Sequence, residues 1–171
     1  LLVLGLVALN GVLAMSEMAV VSSRPGRLKA MRDRGVPGAR MALALTENPG
    51  RFLSTVQVGI TLVGILAGAF SGASLGARLS EWLIAAGIDH AWAEPIGFAI
   101  VVTAITYVSL IIGELVPKQL ALKNPELIAC RVAWPMTLMS KAAAPFVFLL
   151  DGSGRALIRL FGQTESSEAQ V

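Results

Sequence analysis

Three apolar runs, residues 1–22, 52–79 and 95–117, are each long enough for a helix to cross the roughly 30 Å of hydrocarbon in a bilayer. Nothing else in the chain constrains its fold as strongly. Of its 171 residues, 55% are hydrophobic and 15% charged, which excludes a soluble domain of ordinary composition. The fold expected is all-α and integral to a membrane, with three transmembrane helices. A fourth apolar stretch, 132–150, is ambiguous. The first run lacks a basic leader and carries Asn10 and Glu17 inside it, so it reads as a span rather than a secretory signal. One cysteine, Cys130, and one histidine, His90, exclude a disulfide framework and a Cys/His metal cluster.

Charge orients the spans. The loop after the first run holds Arg24, Arg27, Lys29, Arg32, Arg34, Arg40 and Arg51 against Asp33 and Glu47, which places it in the cytoplasm. The next connection holds Glu81, Asp89 and Glu94 with two tryptophans and no lysine or arginine across 80–95, which places it outside. Lys118, Lys123 and Arg131 then mark a return to the cytoplasm. A fourth span would carry Arg155 and Arg159 outward and hold Lys141, Pro135 and Pro145 in its middle. Residues 125–160 are therefore read as helices in the cytoplasmic interface or partly re-entrant, with a true fourth span as the alternative. The basic loop should contain amphipathic juxtamembrane helical stretches over about 25–46, lying against anionic headgroups. Its position between spans argues against nucleic-acid binding.

This orientation brings polar groups from three helices to one depth, in the cytoplasmic half. Asn10 and Glu17 share a face of the first helix, Ser54, Gln57 and Thr61 form an i, i+3, i+7 stripe on the second, and Thr103, Tyr107 and Glu114 line the third. Ionisable groups within a bilayer are costly and usually face a bundle interior or a wet cavity. The plainer alternative has Glu17 and Glu114 at the membrane boundary, solvated or paired with Lys118 or Arg24. Pro117 has no N–H to give the carbonyl four residues back, which belongs to Gly113. GELVP thus sets a freed carbonyl beside a carboxylate. Together with hydroxyls at Ser16, Ser54 or Thr55 and the Gln57 amide, these oxygens suit a hard cation such as Mg²⁺ or Na⁺. Otherwise the proline simply ends a helix and water satisfies the carbonyl.

Gly64, Gly68, Gly72 and Gly76 recur every four residues along the second run, a pattern that lets helix backbones approach closely in lipid. The stripe continues the polar one. It fits a contact within one chain or between two, with a homodimer as the working expectation, and its glycine density also allows a bend near residue 71.

The segments LNGVLAMSEMAVVSSR, NPGRFLSTVQVGITLVGILAGAFSGASLG and GELVPKQLALKNPE together resemble the transmembrane domain of the CNNM/CorC family, implicated in Mg²⁺ efflux. The resemblance covers nearly the whole chain, with the motifs in order. It implies a homodimer with three spans per subunit, a belt of juxtamembrane helices, an extracytoplasmic N-terminus, location in a bacterial inner membrane, and cytoplasmic CBS domains beyond the polar tail at 161–171. A start at Leu1 and that tail fit a piece of a longer protein. Carried over by motif, the cation site would draw on the Gly113 carbonyl, Glu114, side chains near Ser16 and Glu17, and hydroxyls at Ser54 or Thr55, with Mg²⁺ exported and Na⁺ entry as the coupled flux. Two departures remove candidate ligands. Ile60 and Gly64 stand where magnesium branches tend to carry asparagines, and Ala14 where they often carry serine. The second and third motifs also resemble a bacterial branch that includes proposed putrescine and cadaverine exporters.

The leading expectation is a Mg²⁺ exporter with Glu114 as principal ligand and Glu17 as ligand or coupling-ion partner. The first alternative is a polyamine exporter, whose ammonium ends would need spaced acceptors and an aromatic face such as Tyr107 or Trp82. The second is a non-transporting module that senses a cation and signals to cytoplasmic domains. No nucleophile and base stand together in the sequence, so an enzyme is not expected.

Overall fold

Proline sets three of the helix starts. Pro25, Pro49 and Pro125 each occupy the first position of a helix, where a backbone N–H would have no intrahelical acceptor anyway. The computed structural model describes residues 2–160, and among them every regular element is helical: α1 Leu2–Ser22, α2 Pro25–Asp33, α3 Ala39–Glu47, α4 Pro49–Ala85, α5 His90–Leu110, α6 Val116–Lys123 and α7 Pro125–Leu160. A π-helical segment, Ile111–Leu115, joins α5 to α6 without a break. The Asp89 side chain caps α5 by accepting from the Ala91 N–H at 2.9 Å.

Four helices are long and apolar enough to cross a membrane: Leu2–Ser22, Pro49–Ala85, His90–Lys123 and Pro125–Gly154. The first matches the expected span, and the second and third extend theirs at both ends. The fourth adds a candidate where interfacial helices were expected, and it forms one continuous helix through Pro135 and Pro145. The juxtamembrane helical stretches expected over 25–46 are α2 and α3, and Gly35 and Gly38 adopt positive φ (75° and 80°) to turn the chain between them. At 37 residues α4 is about 55 Å long, more than the hydrocarbon needs. It runs without a break through Ser71, whose hydroxyl donates to the Gly68 carbonyl. The tail at 161–171 lies outside the described residues.

The core is gathered at the basic end of the molecule. There Leu13, Ala19 and Val20 of α1, Leu28 of α2, Ala39, Ala42 and Leu43 of α3, and Phe52 and Val56 of α4 pack with Ala121 of α6 and Ala129, Ala133 and Met136 of α7. Glu126 stitches this end. Its buried carboxylate accepts from the Arg24 backbone N–H at 3.4 Å and pairs with Arg27 at 3.7 Å, tying the start of α2 to the start of α7. Away from this end the helices pack by backbone rather than by large side chains. A Cβ on Gly97 of α5 would lie 2.9 Å from the Ser80 nitrogen and 3.1 Å from the Gly76 carbonyl of α4. Lipid drives no burial between spans, so close approach of small residues is what holds them. The outer surfaces are apolar, with Leu62, Ile65, Phe70 and Phe98 exposed, as are Trp82 and Trp92 near the α4–α5 turn where a headgroup belt would be.

The glycine stripe therefore divides. Gly72 and Gly76 meet Phe98 of α5 within the chain, whereas a Cβ on Gly64 or Gly68 would meet nothing. Gln57, Thr61 and Gly64 are exposed on α4, so its first half presents an open polar and small-residue face.

Gly38 offers a direct check of the basic end. Its φ of 80° disfavours any L side chain, and a Cβ there would run into the Cys130 carbonyl of α7. Gly38→Ala is expected to cost at least about 1–2 kcal/mol from the left-handed backbone alone, before the clash is added. Thermal unfolding in detergent should show a lowered midpoint, while Gly26→Ala, with open space around it, should not.

Candidate cation site

Pro117 shapes the site from the backbone outward. Its missing N–H leaves the Gly113 carbonyl without a helical donor, and the chain widens here into the π-helical turn Ile111–Leu115. A buried carbonyl left unpaired costs about 1–3 kcal/mol, and more in hydrocarbon. Asn10 of α1 supplies the donor: its side-chain N–H gives a buried 3.0 Å hydrogen bond to the Gly113 carbonyl. Glycine on both sides makes the contact reachable. A Cβ on Gly113 would stand 3.2 Å from the Val7 carbonyl, and one on Gly11 would stand 3.1 Å from the Pro117 ring. Asn10 Oδ1 is buried beside this bond and has no hydrogen-bond partner.

This docking places two carboxylates together. Glu17 lies two turns beyond Asn10 on α1, and Glu114 follows Gly113. Between them sits a cation the chain carries itself. Lys118 Nζ lies 2.9 Å from Glu114 Oε1, one turn away, and 3.3 Å from Glu17 Oε2. Glu17 Oε2 is buried and makes no hydrogen bond, so the ammonium answers it by charge alone. All three side chains are partly shielded, which strengthens their attraction over that of a surface pair. The group carries one net negative charge.

The other expected site residues are distributed unevenly. Ser16 and Thr55 are buried, and each donates its hydroxyl to a carbonyl one turn back, Val12 at 2.6 Å and Arg51 at 2.8 Å. Their oxygens keep lone pairs but face competition from their own helices. Ser54 is half-buried. Gln57 and Thr61 are exposed on the open face of α4 rather than gathered with Glu17 and Glu114. Thr103 and Tyr107 are exposed as well, although spacing put them on one line with Glu114. The π turn explains this. It inserts one residue into the helical repeat and rotates everything after it by about 100°. Among the described residues, no three His, Cys, Asp or Glu side chains come close enough to hold a metal. The pairing with Lys118 that is the plainer alternative for Glu17 and Glu114 is present, and one ammonium serves both carboxylates.

A family model described as the Cyclin M transmembrane N-terminal domain matches residues 1–171. UPF0053 protein sll0260 of Synechocystis is 46% identical over 166 residues, covering 97% of this chain and 37% of that protein. UPF0053 protein YhdT of Bacillus subtilis is 30% identical over 163 residues, covering 95% and 35%. The polyamine export protein of Escherichia coli K12 is 29% identical over 161 residues, covering 94% and 36%. The chain thus spans little more than a third of the length of these curated relatives.

The carbonyl contact can be tested without reference to any cargo. Asn10→Ala removes the donor and leaves the Gly113 oxygen buried and unpaired, so the protein is expected to lose about 1–3 kcal/mol of stability. Asn10→Asp removes the donor at nearly constant size and adds charge against a carbonyl, and should cost more. Detergent unfolding curves of the two variants against the parent give both numbers.

Proposed function

The chain belongs to the CNNM family, and on that premise we propose that it is a cation exporter whose cargo is held by Glu17 and Glu114. The observation that carries this reading is the convergence of two carboxylates, from α1 and from the π-helical turn, on one positive charge in the shielded part of a multi-pass helical protein. Intramembrane carboxylates with a common cation are expensive features that mark ion and substrate pathways.

The cargo favoured by the geometry is an organic dication such as putrescine or cadaverine. The pair already coordinates an alkylammonium, Lys118, at charge-assisted distances, so the end of a diamine fits the same chemistry. The name of the Escherichia coli relative points the same way. Mg²⁺ is the second reading, and a separate observation supports it: Asn10 Oδ1 is a buried, unpartnered oxygen next to the Gly113 carbonyl. Coupling to Na⁺ entry belongs to the proposal under either cargo.

The proposed arrangement has α1, α4 and the continuous α5–α6 rod as spans, with α7 along the cytoplasmic interface of a bacterial inner membrane. One face of α7 carries Ala129, Ala133, Met136 and Ser140 into the basic-end core, the pattern of a helix lying on a surface. A homodimer would cover Gln57, Thr61, Gly64 and Gly68, and cytoplasmic CBS domains would belong to the rest of the longer protein.

Isothermal titration of the purified chain with putrescine, cadaverine and Mg²⁺, each against Glu114→Gln at matched ionic strength, tests the reading. Saturable binding by the parent that weakens at least about tenfold in the variant supports the carboxylate site, a difference of about 1.4 kcal/mol. Equal binding by parent and variant would falsify it. Flux of the bound cation in proteoliposomes then separates an exporter from a sensor.

A further inference from the structure

We infer that Lys118 is a tethered occupant of the carboxylate pair and sets a charge threshold for the cargo, admitting cations of charge two and holding out those of charge one. The inference rests on the reading of Glu17 and Glu114 as the cargo's ligands. It begins from the distances: one ammonium, 2.9 Å from Glu114 and 3.3 Å from Glu17, fills the place between two helices where a cargo charge would sit. Among the described residues the remaining ion pairs, Arg27 with Glu126 and Arg32 with Asp33, lie elsewhere, and none of those residues adds a second cation to the two carboxylates.

Charge counting gives the threshold. With Lys118 in place the group carries a net charge of minus one. A monovalent cation that displaces the ammonium leaves the same net charge, so it gains nothing from the exchange and must still shed water to enter. A divalent cation brings the pair to neutrality, and in a shielded site that extra unit is worth far more than in bulk water. An abundant monovalent ion is thereby excluded by a competitor it cannot dilute away, because the competitor is attached to the chain. A coupling Na⁺ would accordingly bind outside this pair.

The side chain is suited to leaving. About a quarter of the Lys118 side chain remains accessible, and its four-carbon stem is flexible with a strongly hydrated head. It can swing to the polar boundary while its backbone stays fixed in α6. The pair is not left empty at any stage, which avoids two facing carboxylates without a counter-charge.

The test uses the purified chain in nanodiscs with four probes: putrescine, Mg²⁺, methylammonium and potassium ion. The parent is expected to bind at least one divalent probe saturably and neither monovalent probe. Lys118→Met should bind that divalent probe at least about tenfold more tightly and should acquire saturable methylammonium or potassium binding. Lys118→Arg, which keeps the charge, should do neither. Divalent binding that is unchanged or weakened in Lys118→Met overturns the inference while leaving the carboxylate reading intact, provided that Glu114→Gln still loses it. No binding of any probe by the parent and Lys118→Met alike overturns both. Should Lys118→Met fail to fold, the parent alone decides: acetylation of the Lys118 amine, followed by mass spectrometry, is expected to quicken at saturating divalent cation. An unchanged or slower rate overturns the inference.

Discussion

A single misfit between backbone and bilayer organises this molecule. Pro117 denies Gly113 its i+4 helical hydrogen bond, and the buried oxygen has to be met by something. Asn10 meets it. That bond joins α1 to the α5–α6 rod where Gly11 and Gly113 let the backbones approach closely, next to Glu114 and two turns from Glu17, which meet at Lys118. A helix of ordinary geometry in the same place would carry Glu114 on the line of Thr103 and Tyr107, which is exposed. The irregular turn is what aims the carboxylate inward.

The electrostatics follow from that aim. Two carboxylates brought together in a shielded place repel each other. The chain sets its own lysine between them. Such an internal ion pair is costly to form and costly to break by halves, because removing one partner strands the other. The three residues form an electrostatic unit, and each of them reports on the other two.

Much of this architecture can be read directly from the residues. The three apolar runs give three of the long helices, Pro117 locates the freed carbonyl, and Gly113, Glu114 and Glu17 come together as their depth requires. The failures have particular causes. Gln57, Thr61 and Gly64 share a face by spacing, but spacing does not say whether a face looks at its own chain or away from it, and theirs looks away. Tyr107 and Glu114 are seven apart, yet a π turn between them breaks the repeat that such spacing assumes. Lys118 is legible as a boundary partner for either carboxylate, the plainer of the two readings, but spacing does not show that it serves both at once.

The molecule's two ends are held by different physics. At the basic end, Phe52, Leu28 and Val20 are fully enclosed in a core of the kind water builds, reinforced by Glu126. Toward the α4–α5 turn, contact depends on glycine and serine lying backbone to backbone, with the large apolar side chains turned outward. The first end owes its cohesion to exclusion of water, the second to close backbone contact. Where Gly97 meets Ser80 and Gly76, the α4–α5 end therefore has no pliable side chain between its backbones with which to absorb an added methyl group, whereas the basic end can redistribute a small change of volume among many neighbours.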